Sequence, residues 1–331
     1  MSYRASCKSR NAAKPQDDKP EHADRRGVIS QIRLVGRPSG LKRESERNAC
    51  VVRSVEFKMV ERQPRLLVLG AHPDDAEFHA GGLIWRYREL GRPVRIVSVT
   101  NGAAGHHRLE PDELTRTRRA EAEAVSQLSG AEFHVWDFPD AQLLPTLEVR
   151  ERIIREIRRY APDLVLTHRT NDYHPDHRAV GQAVQDASYL IRVPLVARDT
   201  PALRRDPVVA YMADLFTRPC PLRPDFVFDI GPYVERVVGL LACHQSQVFE
   251  WLPYVEGQEA SVPTTEDARL AWLTDWYSQR PRAVADRFRD ALRRVYGERG
   301  TEVRFAEAFE ISEYAEQLEA AAVASLFPFA S

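Results

Sequence analysis

Apolar residues follow two rhythms along this chain, and their alternation predicts the fold. Short apolar runs of the kind that form buried strands occur at 65–70 (RLLVLG), 94–99 (VRIVSV), 132–136, 163–167 (DLVLT), 208–212 (VVAYM) and 226–229 (FVFD). Helix-like segments lie between them. Residues 83–90 read as a helix closed by Gly91, and 112–128 as a charged helix closed by Gly130. In 147–160 (LEVRERIIREIRRY), Leu147, Ile153, Ile154 and Ile157 share the apolar face of an amphipathic helix. A further helix is expected from near His177 to about Ile191, others at about 233–243 and 265–277, and a late strand at 303–309. Strands alternating with helices imply βαβ units. The predicted fold is α/β and Rossmann-like: a mostly parallel sheet with helices on both faces. Prolines cluster at 194–224, the pattern of loops near a cleft.

Composition adds a boundary. Residues 1–60 hold 14 Lys and Arg against 7 Asp and Glu, although the whole chain of 331 residues has a net charge of only −1. Every lysine lies at or before Lys58. The first segment is polar and non-periodic, so 1–60 is expected to be a disordered basic extension, with Met59 a candidate natural start. A globular domain is expected over 61–312 and a tail over 313–331. The overall charge gives no reason to expect nucleic acid or a membrane surface as partner. The four cysteines form no CxxC, which points away from a zinc ribbon or redox pair. There is no signal-peptide core and no apolar run of membrane-spanning length, so a cytoplasmic location is expected.

Candidate chemistry lies where the strands end. In an open parallel sheet, the loops after the strands share one edge and form the ligand crevice. The first such loop, "GAHPDDAEFHAGG", is not a dinucleotide fingerprint; it places carboxylates where a pyrophosphate would sit. The loop after 163–167 reads "HRTNDYHPDH", so His-Pro-Asp occurs in both. If the strands are parallel, the two clusters face each other. A catalytic metal takes three His, Asp or Glu ligands and keeps a position open for water. His72 and Asp75 are spaced i, i+3, as are His174 and His177. Two ligands from the first loop and one from the second make a His2Asp set, with Asp74 and His174 left to flank the open position. "DD" before a helix is also an ordinary charge pattern, and an isolated HxxH is often incidental. The conjunction on one sheet edge is what favours a site.

"AHPDD" after a first strand and "HPDH" after a later one resemble the PIG-L/LmbE family of zinc-dependent N-deacetylases. The resemblance extends to "RRAEAEAVSQLSG" (118–130), "PDAQL" (139–143), "HQSQ" (244–247) and "FAEAF" (305–309). It implies metal ligation by His72, Asp75 and His177, with Asp74 as general base and His174 stabilising the oxyanion. It also implies sugar contacts from Arg118 and Asp140. Tyr173 is expected to border the pocket, and His244 to support the site or to be an ordinary core histidine. His79, His106, His107 and His168 are further candidates, each also readable as a polar loop or helix residue. Many family members carry Glu directly after the second Asp; this chain has Ala76 there and Glu77 next, which leaves the substrate branch open.

The expected function is therefore metal-dependent removal of an N-acetyl or N-acyl group from an amino sugar or its conjugate. Zinc is the expected cofactor, with iron(II) the cellular alternative. Three alternatives stay open: an amidase acting on a thiol or lipid-linked conjugate, a metal-dependent phosphoesterase, and a non-catalytic sugar-binding protein. The sequence does not disclose the oligomeric state.

Overall fold

The computed structural model describes residues 62–329; the expected basic extension over 1–60 lies outside the described residues. Elements alternate in chain order: β1 (Leu66–Gly70), α1 (Asp75–Glu89), β2 (Val94–Thr100), α2 (Pro111–Ser129), β3 (Glu132–Phe138), α3 (Leu147–Tyr160), β4 (Leu164–Thr167) and α4 (Pro175–Ala187). They continue with β5 (Val208–Met212), β6 (Phe226–Asp229), α5 (Val234–Cys243), α6 (Leu252–Glu256), α7 (Glu266–Arg287), α8 (Arg289–Tyr296), β7 (Ala306–Ile311) and α9 (Ala320–Leu326).

The strands form a seven-stranded sheet in the order β3-β2-β1-β4-β5-β7-β6. The pairings from β3 through β5 are parallel, and β7 runs antiparallel to both of its neighbours. Successive strand side chains point to opposite faces, and β1 shows why its run is continuously apolar. Leu67 and Leu69 pack with Ile153, Ile154 and Ile157 of α3 and with Val180 and Val184 of α4. Leu66 and Val68 pack on the other face with Leu83, Ile84 and Tyr87 of α1. A strand covered on both sides has no polar face to show. The chain winds outward from β1 to β2 and β3 on one side, and from β4 to β5 on the other. The crevice at such a reversal opens beyond the strand ends, so the loops after β1 and β4 lie side by side.

Three boundaries differ from the sequence pattern. The first helix begins at Asp75, directly after the acidic turn, rather than near Leu83. Its regular geometry breaks at Ala80 (φ −144°, ψ 16°), and the freed N–H groups of Gly82 and Leu83 donate to the buried Glu307 carboxylate at 2.6 and 3.0 Å. The apolar pattern reports only the half beyond this break. Helix α7 runs ten residues past Tyr277 and carries Pro281 inside it. Residues 313–331, expected as a tail, fold back where described: Leu326 and Phe327 are buried against the α1 face of the sheet, and the Tyr87 hydroxyl donates to the Leu326 carbonyl at 2.6 Å. Among the described residues no helix is long and apolar enough to cross a membrane.

Candidate metal centre

The turn after β1 is held from beneath. The Ala71 carbonyl accepts hydrogen bonds from the hydroxyls of Ser98 and Thr100 at 3.1 and 2.7 Å. Asp75 opens α1 and turns its Oδ2 back onto the N–H groups of Ala71 and His72, at 2.9 and 2.7 Å. That fold-back fixes His72 and Asp75 relative to each other. The turn before α4 is equally local: Pro175 occupies the first helical turn, and His174 Nδ1 accepts from the Asp176 N–H at 3.2 Å as the N-cap. His177 then points from the first turn of α4 toward β1.

Here the two His-Pro-Asp loops meet. His72 Nδ1 lies 3.2 Å from His177 Nε2, Asp75 Oδ1 lies 3.2 Å from His177 Nε2, and Asp75 Oδ2 lies 3.5 Å from His72 Nδ1. A metal about 2.0–2.1 Å from three donors at tetrahedral angles separates those donors by roughly 3.3 Å. The observed edges fit that figure, although the Asp75 edges use its two different oxygens. Overlapping groups of donors share these residues, the atoms within each lying no more than 4.8 Å apart: His72 with His174 and His177, and Asp75 with His168 and His177.

The outward nitrogens face carboxylates. His72 Nε2 lies 3.1 Å from Asp140 and 3.4 Å from Asp176, while His177 Nδ1 lies 3.0 Å from Asp172. Such partners hold a proton on the outer nitrogen and aim the inner lone pair at a metal. Without a cation, His72 Nδ1 and His177 Nε2 face each other directly at 3.2 Å. Burial disfavours charge on both rings, yet the carboxylates prevail: Asp140, Asp176 and Asp75 hold His72 well above the ordinary histidine range, and Asp75 with Asp172 pushes His177 up to about 9. Asp75 itself is held well below the carboxylate range; burial opposes this, and the neighbouring His177 and His168 outweigh it. Four acids around the inner imidazoles form a site that a divalent cation completes.

Asp74 points elsewhere. Its Oδ2 pairs with Arg118 at 3.2 Å; Arg118 is only 1% exposed and also reaches Glu121 at 3.4 Å. Glu121 in turn accepts from the N–H and hydroxyl of Ser246 at 2.6 and 2.9 Å. Gly102, at φ 67°, lets the second loop pass here: a Cβ would stand 3.0 Å from Pro73 and 3.1 Å from Arg118. His174 sets its ring edge-on to His72 at 4.5 Å, and burial together with the charges of His72 and His177 lowers its pKa.

A cavity of about 460 Å³ opens over these groups, with Asp74, His174 and the triad at its floor and Phe78, Trp251 and Trp276 in its walls. The eight residues expected as metal ligands, catalytic groups or substrate contacts all line it. Two of those expected to contact the sugar also have partners within the protein. Asp140 is buried, with one oxygen on His72 and the other accepting the Ala104 N–H at 2.9 Å. Arg118 is committed to Asp74 and Glu121. Tyr173 is 65% exposed at the mouth, stacked near Phe216.

Of the secondary histidines, His168 supports the triad; its Nε2 is 3.1 Å from Asp75 and its ring stacks on His177 at 3.9 Å. His244 lies off the floor, fully buried and 3.6 Å from Glu77. His106 contacts Glu250, and His107 stacks on Tyr254. His79 Nδ1 is 3.1 Å from the Ala213 carbonyl, and its Nε2 is 2.9 Å from Arg280. Burial and the Arg280 charge hold its pKa well below the ordinary value. Sequence reasoning missed Asp172 and Asp176 as partners of the metal-site histidines. Both stand inside "NDYHPDH", and an acid flanking each histidine was the available signal.

Residues 67–188 match the family described as PIG-L: GlcNAc-PI de-N-acetylase. Diacetylchitobiose deacetylase of Thermococcus kodakarensis is 28% identical over 58% of this chain and 74% of its own length. The 4-oxalmesaconate hydratase of Pseudomonas putida is 25% identical over 58% of this chain and 77% of its own length. The structure of N,N'-diacetylchitobiose deacetylase from Pyrococcus horikoshii superposes with a TM-score of 0.57 at 23% identity, covering 75% of this chain and 83% of that one; this likeness bears on the fold. The family match over 67–188 encloses the triad together with Asp74 and His174, so the candidate site lies within the PIG-L-like segment of the chain.

Proposed function

We propose that this chain is a metal-dependent hydrolase that removes an N-acetyl group from an amino sugar or amino-sugar conjugate, with zinc as the metal. The observation that carries the reading is the division of labour on the cavity floor. His72, Asp75 and His177 form one donor face, while Asp74 and His174, which it does not need, stand beside it at the same cavity. A bound zinc ion supplies polarisation of the amide carbonyl and a lowered pKa for the attacking water. Asp74, held by Arg118, accepts the proton of that water. His174, one ring away from His72, faces the carbonyl oxygen as the amide carbon becomes tetrahedral and charge collects there. The proton taken by Asp74 passes to the leaving nitrogen. The C–N bond breaks, giving acetate and a free amine. Asp140, Asp172 and Asp176 orient the ligand imidazoles.

The test is metal analysis of the purified chain followed by assay of acetate and amine release from N-acetylglucosamine and its conjugates. Release that requires metal is the expected result; metal bound with no release from any N-acyl amino sugar would sink the reading. The similarity to a hydratase favours a second reading, in which the same base and metal add water across a carbon–carbon double bond. Consumption of an unsaturated dicarboxylic acid without acetate release would establish it instead.

A further inference from the structure

Among the charged groups lining the cavity, Asp74 meets Arg118 and Asp140 meets His72, while Glu256 accepts only the neutral Trp276 indole N–H at 2.9 Å. Arg280 also lines the cavity, and among the described residues no carboxylate pairs with it. Its hydrogen bonds there run from one terminal nitrogen to His79. With Nδ1–H donating to the Ala213 carbonyl, the His79 Nε2 is a neutral acceptor, so the contact positions the guanidinium without compensating its charge. Elsewhere in the molecule Arg95 has Glu156 and Arg169 has Asp214, while the buried Arg158 is met by backbone carbonyls alone. An arginine stays charged under all ordinary conditions, and its free edge suits a carboxylate or phosphate.

Placement says what that edge is near. Trp276 and Arg280 are spaced i, i+4 on α7 and share one face. Both line the cavity that holds the triad. A sugar ring stacked on the indole would put its next substituent about 5–6 Å away, within reach of the guanidinium. The catalytic floor lies within the family-matched segment, 67–188, whereas Gln247, Trp251, Trp276 and Arg280 lie outside it. This outer wall is where the chain can differ from its relatives in substrate. From Met59 onward the chain contains no lysine, so the task of meeting an anion falls to arginine.

We infer that the substrate carries an anionic group, a carboxylate or phosphate on or next to the amide-bearing sugar, and that Arg280 is the specificity-determining residue that meets it. This rests on the deacetylase reading and names its substrate class. The metal-loaded full chain is assayed on four compounds: N-acetylglucosamine, its methyl glycoside, its 1-phosphate and its glycoside with glyceric acid. The expected wild-type kcat/KM is about tenfold or more higher for an anionic compound than for the neutral pair. That advantage shrinks with added salt and lies mainly in KM. The phosphate and carboxylate compounds show which anion is meant. Arg280→Gln, which keeps a donor for His79, brings the anionic-to-neutral ratio toward one, and Arg280→Lys retains part of it. A wild-type ratio of one, or a ratio unchanged in Arg280→Gln, overturns the inference while leaving deacetylation standing. If none of the four releases acetate, the deacetylase reading fails. The inference is then judged by calorimetric binding of the 1-phosphate: binding about tenfold weaker in Arg280→Gln upholds it, and equal binding overturns it.

Discussion

Asp74 and Asp75 are adjacent and chemically identical, and their surroundings give them different work. Asp75 is held by two backbone N–H groups and two imidazoles; Asp74 leaves that cluster for a guanidinium on α2. Asp74→Asn should therefore lower turnover by about 10²–10⁴, the range of a lost general base, with metal content by elemental analysis unchanged. Retained turnover would remove Asp74 from the proton transfer. The histidines make a pH prediction. With His177 pushed up to about 9 and His72 also raised, both carry a proton at neutral pH when no metal is bound. Ligation requires neutral rings. Metal binding should thus release protons at pH 7, and affinity should rise with pH as His177 titrates toward about 9. Titration calorimetry in buffers of different ionisation enthalpy measures the release; none at pH 7 would contradict the assignment.

At the scale of elements, the site depends on how closely α4 approaches the loop after β4. Gly181 permits it, since a Cβ there would lie 2.5 Å from the His168 carbonyl oxygen and 3.0 Å from Arg169 backbone atoms. Backbone cannot yield as a side-chain tip can. Gly181→Ala gains about 1 kcal/mol of helix propensity but forces overpacking that costs about 1–3 kcal/mol. We expect a net loss in a denaturant melt, and weaker metal binding because His168 and His177 move apart. A more stable variant with unchanged affinity would refute the steric account. Close approach of this kind is not legible in sequence. The triad was legible because each loop carries its motif within a few residues and the parallel-sheet rule brings the loops together. The internal break in α1 was not, because Glu307, which caps the second half, is over 200 residues away. Arg118 and Asp140 were legible as site residues, but their ties to Asp74 and His72 were not, since those partners come from another loop. Helix α7 was read as ending at about Tyr277, and its continuation to Arg287 carries Arg280.

Across the whole molecule, the candidate metal site joins the two halves of the sheet. His72 and Asp75 follow β1, from which the chain winds toward β2 and β3; His177 follows β4, which leads toward β5. In the unfolded chain about 100 residues separate these ligands, so no comparable site exists there. Binding to the folded state alone adds about 2.7 kcal/mol of stability at a free metal concentration 100 times Kd. For a domain of this size that corresponds to roughly 5–10 °C in Tm. Chelation should therefore abolish turnover and lower Tm by that amount, and added zinc should restore both. His177→Ala supplies the control: it should have the low Tm from the start and no longer respond to chelator, because one half of the clasp is missing. If chelation removes activity but leaves Tm unchanged, the ligands do not bridge the β1 and β4 halves, and the metal sits on one loop alone.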